Sequence, residues 1–416
     1  MRTSILMATI LVPATASAGG YLVPNLTPRD LALGGSAVAD ESGAGAWFSN
    51  TAALAGPDGL DIDIAGAFTN NRTTWEDSSF GAQGKASLSE SATPPAAALS
   101  IGGRLPQGQA WGIGAGFLVP AGGTLEWPAG WAGQESLQSV KQQIFGFGGG
   151  GAFQLLPSLK LGVHYIRYEG TEEVHQALNY IDHFGDAGIG IAGGANGFGV
   201  AAEFHVPNIP LSVGVAYERQ ATLTMSGHIH FTSVPPGFQA QLHDQTVKED
   251  ILVPDVVRAG AAYEVIPNLK VMASYQFENW SDYAADVFIG GDGFMATVAR
   301  NYKNAHVIGV AGEWSKLVPQ LTARAGIVRS ISDQPANTLS PSLTDASKWG
   351  LSGGIGYDIT PALRADLAAQ VMLYDKVTAS GMTDTGVQPF PGSYSTTVFF
   401  ASLGVNWRTD LGLSRL

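Results

Sequence analysis

Apolar side chains recur at every second position in several stretches of the chain. In residues 269–277 every odd-numbered residue is apolar, and Lys270, Ser274 and Gln276 stand between them. The same period of two runs through three further stretches, residues 321–327, 363–373 and 397–407. A helix repeats every 3.6 residues and cannot place such a set on one face. The pattern therefore predicts β-strands with one apolar face.

The connections between these strands alternate in length. Short turns are expected at residues 106–108, 157–158, 207–210, 267–268 and 360–361, and long polar or aromatic loops at 121–135, 232–248, 332–345 and 378–393. Strands are expected to begin near residues 60, 80, 109, 136, 160, 186, 211, 249, 269, 299, 320, 346, 363 and 394. A soluble β-sandwich also alternates, but an even strand number with loops of unequal length is typical of outer-membrane barrels. We predict an all-β fold, a 14-stranded antiparallel transmembrane β-barrel.

The start of the chain does not alternate. Residues 1–18 combine a positive charge, a short apolar stretch and a small-residue end, which predicts a secretory signal peptide. Residues 19–58 are rich in small residues, with short helices expected from Pro28 and just after Asn50. This length suits an N-terminal hatch that plugs the lumen of a wide barrel. Residues 59–416 then form the transmembrane barrel.

The composition agrees with an exported membrane protein. Hydrophobic residues make up 45% of the chain and charged residues only 14%, and there are 54 glycines and no cysteine. These values exclude a disordered chain and a disulfide scaffold. The net charge of −13 opposes binding to nucleic acid. Uncharged stretches are interrupted by glycines, which disfavours membrane-spanning helices, so a closed barrel is the remaining way to cross a bilayer.

Motifs that suggest chemistry lie in predicted strands. The G-x-S-x-G sequence at residues 350–354 lacks the strand-to-helix turn of a nucleophile elbow. The G-x-G-x-x-G sequences at 146–151 and 188–193 open no helix. His228 and His230 share a strand face without a third ligand at a recognisable spacing. We therefore predict no catalytic residues, no metal, no cofactor and no use of ATP, and hence not an enzyme.

Charged residues on the opposite faces of the predicted strands are expected to point into the lumen. A charge that faces lipid near the bilayer midplane costs about 2–4 kcal/mol, which constrains the orientation of each strand. Inside the barrel these side chains either pair with one another, hold the hatch or are simply solvated. The residues concerned are Lys270, Glu278, Arg324, Arg364 and Asp366.

Six motifs, in order, resemble those of the FadL-type outer-membrane family, transporters of long-chain fatty acids and aromatic hydrocarbons. They lie at residues 33–40, 50–54, 111–127, 214–219, 252–255 with 279–281, and 323–326. The resemblance covers nearly all of the chain after the signal peptide. One departure is Thr51, which stands where the family has proline.

The resemblance implies a monomer in the bacterial outer membrane, in contact with lipid and lipopolysaccharide. It implies passive uptake of a hydrophobic small molecule, which is captured by the outer loops, passes to a pocket near the hatch and leaves sideways at a kinked third strand. The expected substrate path includes Asn50, Thr51 and Ala52 in the hatch, Gly112, Gly114 and Gly116 in the third strand, and Leu125, Trp127 and Trp131 in the first large loop.

Two of these assignments have alternatives. The three glycines either permit a bend in the strand or only allow close packing of a neighbour. Leu125, Trp127, Trp131 and Leu137 form either an exposed apolar patch for ligand capture or a packed loop. For the whole protein, the alternatives are a general porin, which has an open polar lumen, and a structural or adhesion barrel. A cation near the inner pocket would favour fatty acids over hydrocarbons.

Overall fold

The computed structural model describes residues 21–24, 26–56, 58–293, 295–332, 334–383 and 389–412. The predicted signal peptide lies outside these residues. In the described part of the chain, twenty strand segments combine into fourteen barrel strands. They are β1 (Gly59–Glu76), β2 (Lys85–Ala92 and Pro95–Arg104), β3 (Ala110–Glu126), β4 (Ser139–Leu156), β5 (Leu159–Asn179), β6 (Phe184–His205), β7 (Leu211–Glu218 and Ala221–Phe231), β8 (Gln245–Val253 and Val256–Ile266), β9 (Leu269–Glu278 and Ala285–Gly290), β10 (Met295–Ala299 and Ala305–Val318), β11 (Leu321–Ile331), β12 (Lys348–Thr360), β13 (Leu363–Tyr374 and Val377–Ala379) and β14 (Gly392–Thr409).

Each strand pairs antiparallel with the next, and β14 pairs with β1. The closing ladder runs from the Leu60–Thr409 pair to the Glu76–Ser393 pair. The predicted 14-stranded barrel is confirmed. Short connections lie at one end and most of the long loops at the other, as expected. Several loop boundaries were wrong, because residues 121–126 continue β3, residues 245–248 belong to β8, and residues 378–379 and 392–393 belong to β13 and β14.

The alternation separates an outer and an inner face. Ile64 in β1 and Leu403 in β14 are 59% and 60% exposed, whereas the adjacent Ala65 and Ser402 are buried. The outer face carries large apolar side chains on every strand and suits contact with lipid. Among the described residues, no helix combines the length and the apolar character needed to span a membrane.

Residues 21–56, here called the N-terminal segment, lie inside the barrel. They include two short helices, α1 (Pro28–Ala32) and α2 (Ala46–Ser49), and a 3₁₀ helix at Thr51–Leu54. Helix α1 packs against β11 to β14, and the 3₁₀ helix packs against β2 to β6. The segment therefore crosses the interior between opposite walls.

The charged side chains that were predicted to point into the lumen have protein partners. Arg324 contacts Glu313 and Asp366, each at 2.6 Å, and Arg364 contacts Asp366 at 3.0 Å. Lys270 reaches Asp40 of the N-terminal segment at 2.6 Å. A further predicted lumen residue, Glu278, is buried and accepts hydrogen bonds from the Trp280 and Gln276 side chains. The predicted inward orientation is confirmed, and pairing prevails over simple solvation.

Candidate functional site

A cavity of about 150 Å³ lies between the N-terminal segment and the barrel wall. On one side it is lined by apolar residues of the N-terminal segment, Leu22, Leu26, Leu31, Val38, Trp47 and Phe48. On the other side it is lined by apolar residues of five strands, Ile166, Val253, Val256, Val307, Val328 and Met372. A concave, mostly apolar site with a few polar groups is the usual form of a small-molecule pocket.

One group of polar side chains lines the cavity as a connected network. Arg258 in β8 contacts Glu218 in β7 at 3.3 Å, and its Nε donates to Gln276 Oε1 at 3.0 Å. The Tyr168 hydroxyl donates to Glu218 Oε1 at 2.5 Å. The guanidinium and the carboxylate are thus already engaged with protein partners.

The barrel wall is interrupted between β2 and β3 beside this cavity. The two strands pair from Arg104–Ala110 to Ala97–Phe117 and then separate. Three further steps in the same register would bring Pro94 opposite Pro120. Proline has no backbone N–H and cannot donate to a ladder, so neither residue supports pairing there.

The cavity reaches this interruption. Its lining includes Pro94 and Pro95 of the β2 break and Val119 and Pro120 of β3. Strand β3 is also irregular on its other side, because its register with β4 shifts between Leu118 and Ala121. The cavity therefore extends to a part of the barrel wall where no backbone hydrogen bonds join β2 and β3.

The beginning of the N-terminal segment is bonded to the same part of β3. Val23 N donates to Pro120 O at 2.8 Å, and Gly122 N donates to Tyr21 O at 3.1 Å. The Tyr21 ring packs edge-on against Trp280 at a centroid distance of 4.9 Å, and its hydroxyl donates to Leu252 O. The segment thus links β3 to the walls of β8 and β9.

The glycines predicted in the third strand allow close packing. A Cβ on Gly112 would lie 2.1 Å from Leu54 O, and a Cβ on Gly116 would lie 2.0 Å from Trp47 Cδ1. A Cβ on Gly114 would lie 3.0 Å from the Leu54 side chain. The β2–β3 register is unbroken through these glycines. The geometry favours close packing over a bend at these residues, since the irregularity begins only after Leu118.

The predicted hatch residues position the N-terminal segment against the wall. Asn50 Nδ2 donates to Val38 O at 2.7 Å and to Ala202 O at 3.3 Å, while Asn50 Oδ1 accepts from Ala52 N at 3.1 Å. Thr51 Oγ1 lies 3.4 Å from His164 Nδ1, next to the cavity. These contacts join the 3₁₀ helix to β5 and β6.

The prediction of an exposed apolar patch in the first large loop is wrong. Leu125, Trp127, Trp131 and Leu137 are all at most 5% exposed. The two tryptophan rings stack at a centroid distance of 4.4 Å. Trp127 Nε1 donates to Pro341 O at 3.2 Å, and Trp131 Nε1 donates to Leu137 O at 2.8 Å. The packed-loop alternative holds, because Trp127 is bonded to the distant Pro341 loop and the Trp131 ring packs edge-on against Trp75 and Phe390.

Arg29 is a further anchor, and its role was missed in the sequence. It contacts Asp40 at 2.9 Å, Glu41 at 3.2 Å and Glu313 of β10 at 3.1 Å. Arg29 is the only lysine or arginine in residues 19–58, which was the available signal. The lumen contains many carboxylates, so a single cation in a segment that enters it is expected to pair with them.

Replacing Arg29 with glutamine is expected to weaken the seating of the N-terminal segment by about 1–2 kcal/mol, because charge-assisted hydrogen bonds to three carboxylates are lost. Limited proteolysis, with fragments identified by mass spectrometry, will show faster cleavage within residues 21–56. The control Arg104→Gln removes an exposed pair at 3.9 Å from Asp58 and should leave cleavage unchanged. Equal cleavage in both variants would contradict the anchoring role.

The family model for "Outer membrane protein transport protein (OMPP1/FadL/TodX)" matches residues 9–408. The chain belongs to this family. A Pseudomonas aeruginosa FadL homologue superimposes with a TM-score of 0.83 at 18% identity, over 94% of this chain and 100% of that chain. The P. putida toluene transporter TodX superimposes with a TM-score of 0.74 at 16% identity, over 92% of this chain and 98% of that chain. The CymD monoaromatic hydrocarbon channel superimposes with a TM-score of 0.68 at 15% identity, over 92% of this chain and 97% of that chain. No curated protein matches the sequence.

The family membership establishes an outer-membrane location and a role in transport. The features that suggested other chemistry have structural explanations. Ser352 of the G-x-S-x-G sequence lies within β12, and its hydroxyl donates to Ala32 O of α1 at 3.0 Å. In the described part of the chain, no group of three or more His, Cys, Asp or Glu side chains is suited to hold a metal.

Proposed function

We propose that this protein takes up hydrophobic small molecules by passive binding in the cavity, followed by release through the interruption between β2 and β3. The observation that carries the proposal is the continuity of the cavity from the N-terminal segment to Pro94 and Pro120, where β2 and β3 do not pair with each other. A solute that leaves there enters the bilayer without crossing water. The driving force is burial of apolar surface, worth about 0.8 kcal/mol for each methylene.

Roles for the predicted path residues follow from their contacts. We propose that Asn50, Thr51 and Ala52, with Gly112, Gly114 and Gly116, seat a hatch formed by residues 19–58 against the barrel of residues 59–416. Leu125, Trp127 and Trp131 belong to an apolar cluster that also contains the cavity residues Leu22, Ile166 and Val253. We propose that ligands enter by parting this cluster, so that capture depends on loop movement and not on an exposed patch.

The remaining partners are proposals of the same kind. Removal of residues 1–18 on export would free the start of the hatch. The outward side chains of the strands suit contact with lipid and, at the long-loop end, with lipopolysaccharide. A barrel that encloses its own cavity needs no second copy, so we propose that it works as a monomer.

The proposal is tested by uptake into a bacterial host that lacks its own channel for hydrophobic compounds. Cells that make the protein should accumulate a radiolabelled hydrocarbon or long-chain alcohol about tenfold faster than cells with an empty vector, because partition through lipopolysaccharide is slow. In planar bilayers the purified protein should show no large, stable open conductance, because the N-terminal segment fills the lumen. Equal uptake in both strains would overturn the proposal. A stable conductance that passes sugars would support the porin alternative.

A further inference from the structure

We infer that the cavity prefers a neutral ligand, with an apolar body and a hydrogen-bonding head such as a hydroxyl or a carbonyl group, over the carboxylate of a fatty acid. The inference rests on the proposed function, since it names the class of molecule that the same cavity takes. It is carried by two separate observations: the charges that line the cavity and the polar atoms there that have no partner.

The charge balance of the lining disfavours an anion. Among the described residues that line the cavity, Arg258 is the only lysine or arginine, and Glu218 and Asp30 are carboxylates. Arg258 is held by Glu218 at 3.3 Å and by Gln276 at 3.0 Å. A ligand carboxylate would have to displace Glu218 from Arg258, which is its only lysine or arginine partner in the part of the chain that the structure describes. Leaving a buried charge unpaired is strongly unfavourable, so exchange of one carboxylate for another gains little.

The second observation concerns three polar atoms. Trp47 Nε1, Ser49 Oγ and Gln370 Oε1 belong to cavity-lining side chains that are at most 8% exposed. None has a hydrogen-bond partner among the described residues. An unsatisfied buried polar atom costs about 1–3 kcal/mol, so a ligand that bonds to one of them gains affinity.

These atoms fit neutral groups. Trp47 Nε1 is a donor, a serine hydroxyl is a donor or an acceptor, and Gln370 Oε1 is an acceptor. A hydroxyl, a carbonyl and a carboxylate can all accept from Trp47 Nε1, but among them only a hydroxyl can donate to Gln370 Oε1, so Gln370 is the atom that disfavours an anion. Trp47 and Ser49 lie on the N-terminal segment and Gln370 lies on β13, so a head group finds a neutral partner at either wall.

The test compares two ligands that differ only in the head, labelled 1-dodecanol and labelled dodecanoate. Binding is measured by equilibrium dialysis to the full-length protein in lipid nanodiscs, with empty nanodiscs subtracted, at about pH 8, where a carboxylic acid with its usual pKa is ionised. The wild type should bind the alcohol about tenfold more tightly or more. A wild-type preference for dodecanoate would overturn the inference.

The variant Glu218→Gln releases Arg258 and should raise dodecanoate affinity about tenfold. The double variant Glu218→Gln with Arg258→Met should lose that gain, because the cation is gone.

Gln370→Met and Trp47→Phe should weaken dodecanol binding about threefold to tenfold but leave dodecane binding nearly unchanged. No gain of dodecanoate affinity in a folded Glu218→Gln protein would count against the charge argument. If Glu218→Gln fails to fold, as judged by the loss of its heat-modifiable gel mobility, the relative affinities of the wild type for dodecanol and dodecanoate alone decide.

Dodecane separates this inference from the proposed function. If dodecane, dodecanol and dodecanoate all fail to bind and to enter cells, the proposed function is wrong. If dodecane and dodecanoate are both taken up and dodecanoate binds most tightly, the proposed function stands and the neutral-ligand inference is wrong.

Discussion

Replacing Pro94, Pro95 and Pro120 with threonine, valine and threonine is expected to reduce uptake of a hydrophobic solute to the level of cells without the protein. The three substitutions restore backbone N–H groups on both sides of the β2–β3 interruption. The existing register between Ala97 and Phe117 can then extend, and each new backbone hydrogen bond contributes about 0.5–1.5 kcal/mol to a closed wall.

Uptake of the labelled solute and hydrogen exchange of the β3 amides are measured together. The control replaces three prolines of the short turns, Pro157, Pro267 and Pro361, with threonine, since none of them lines the cavity. Uptake in the control should match the wild type. If the β3 amides become protected from exchange while uptake stays normal, the solute does not leave through this part of the wall.

Replacing Gly112 with valine is expected to displace the N-terminal segment and open a conducting pore. The added Cβ would lie 2.1 Å from Leu54 O and 2.6 Å from Leu54 C, which are backbone atoms that cannot move aside without moving the 3₁₀ helix. Overpacking of this kind costs about 1–3 kcal/mol, or more where backbone must shift. Because a 14-stranded barrel is wide when it is not plugged, the loss of the segment should be visible as current.

Single-channel recordings will show a conductance about tenfold or more above that of the wild type, and cells will become sensitive to a large polar antibiotic. The matched control is Gly66→Val on the outer face of β1, where an added Cβ meets nothing within 4 Å. That variant should remain closed. A closed Gly112→Val channel with an intact, heat-modifiable barrel would show that Leu54 does not hold the plug in place.

The contrast between Gly112 and Gly66 shows where sequence reasoning ends. Alternation places Gly66 on the outer face with Ile64 and Gly112 on the inner face, but it does not say that a backbone lies against Gly112. One faces the 3₁₀ helix and the other faces open space, and this depends on a segment that lies more than fifty residues away from Gly112 in the sequence. The same limit explains Trp131, whose ring is covered by loops that are distant along the chain.

The sequence by itself determined the barrel, the number of strands and the inward position of Arg324. These properties follow from a period of two, from turn residues and from the cost of charge in lipid, all of which act locally along a strand. Only the tertiary structure decided where the ladder between β2 and β3 ends, that Arg258 pairs with Glu218, and that the loop tryptophans are buried. Those properties depend on which strands and loops become neighbours when the barrel closes, because hydrogen bonds and ion pairs at about 3 Å require atoms from distant segments to meet.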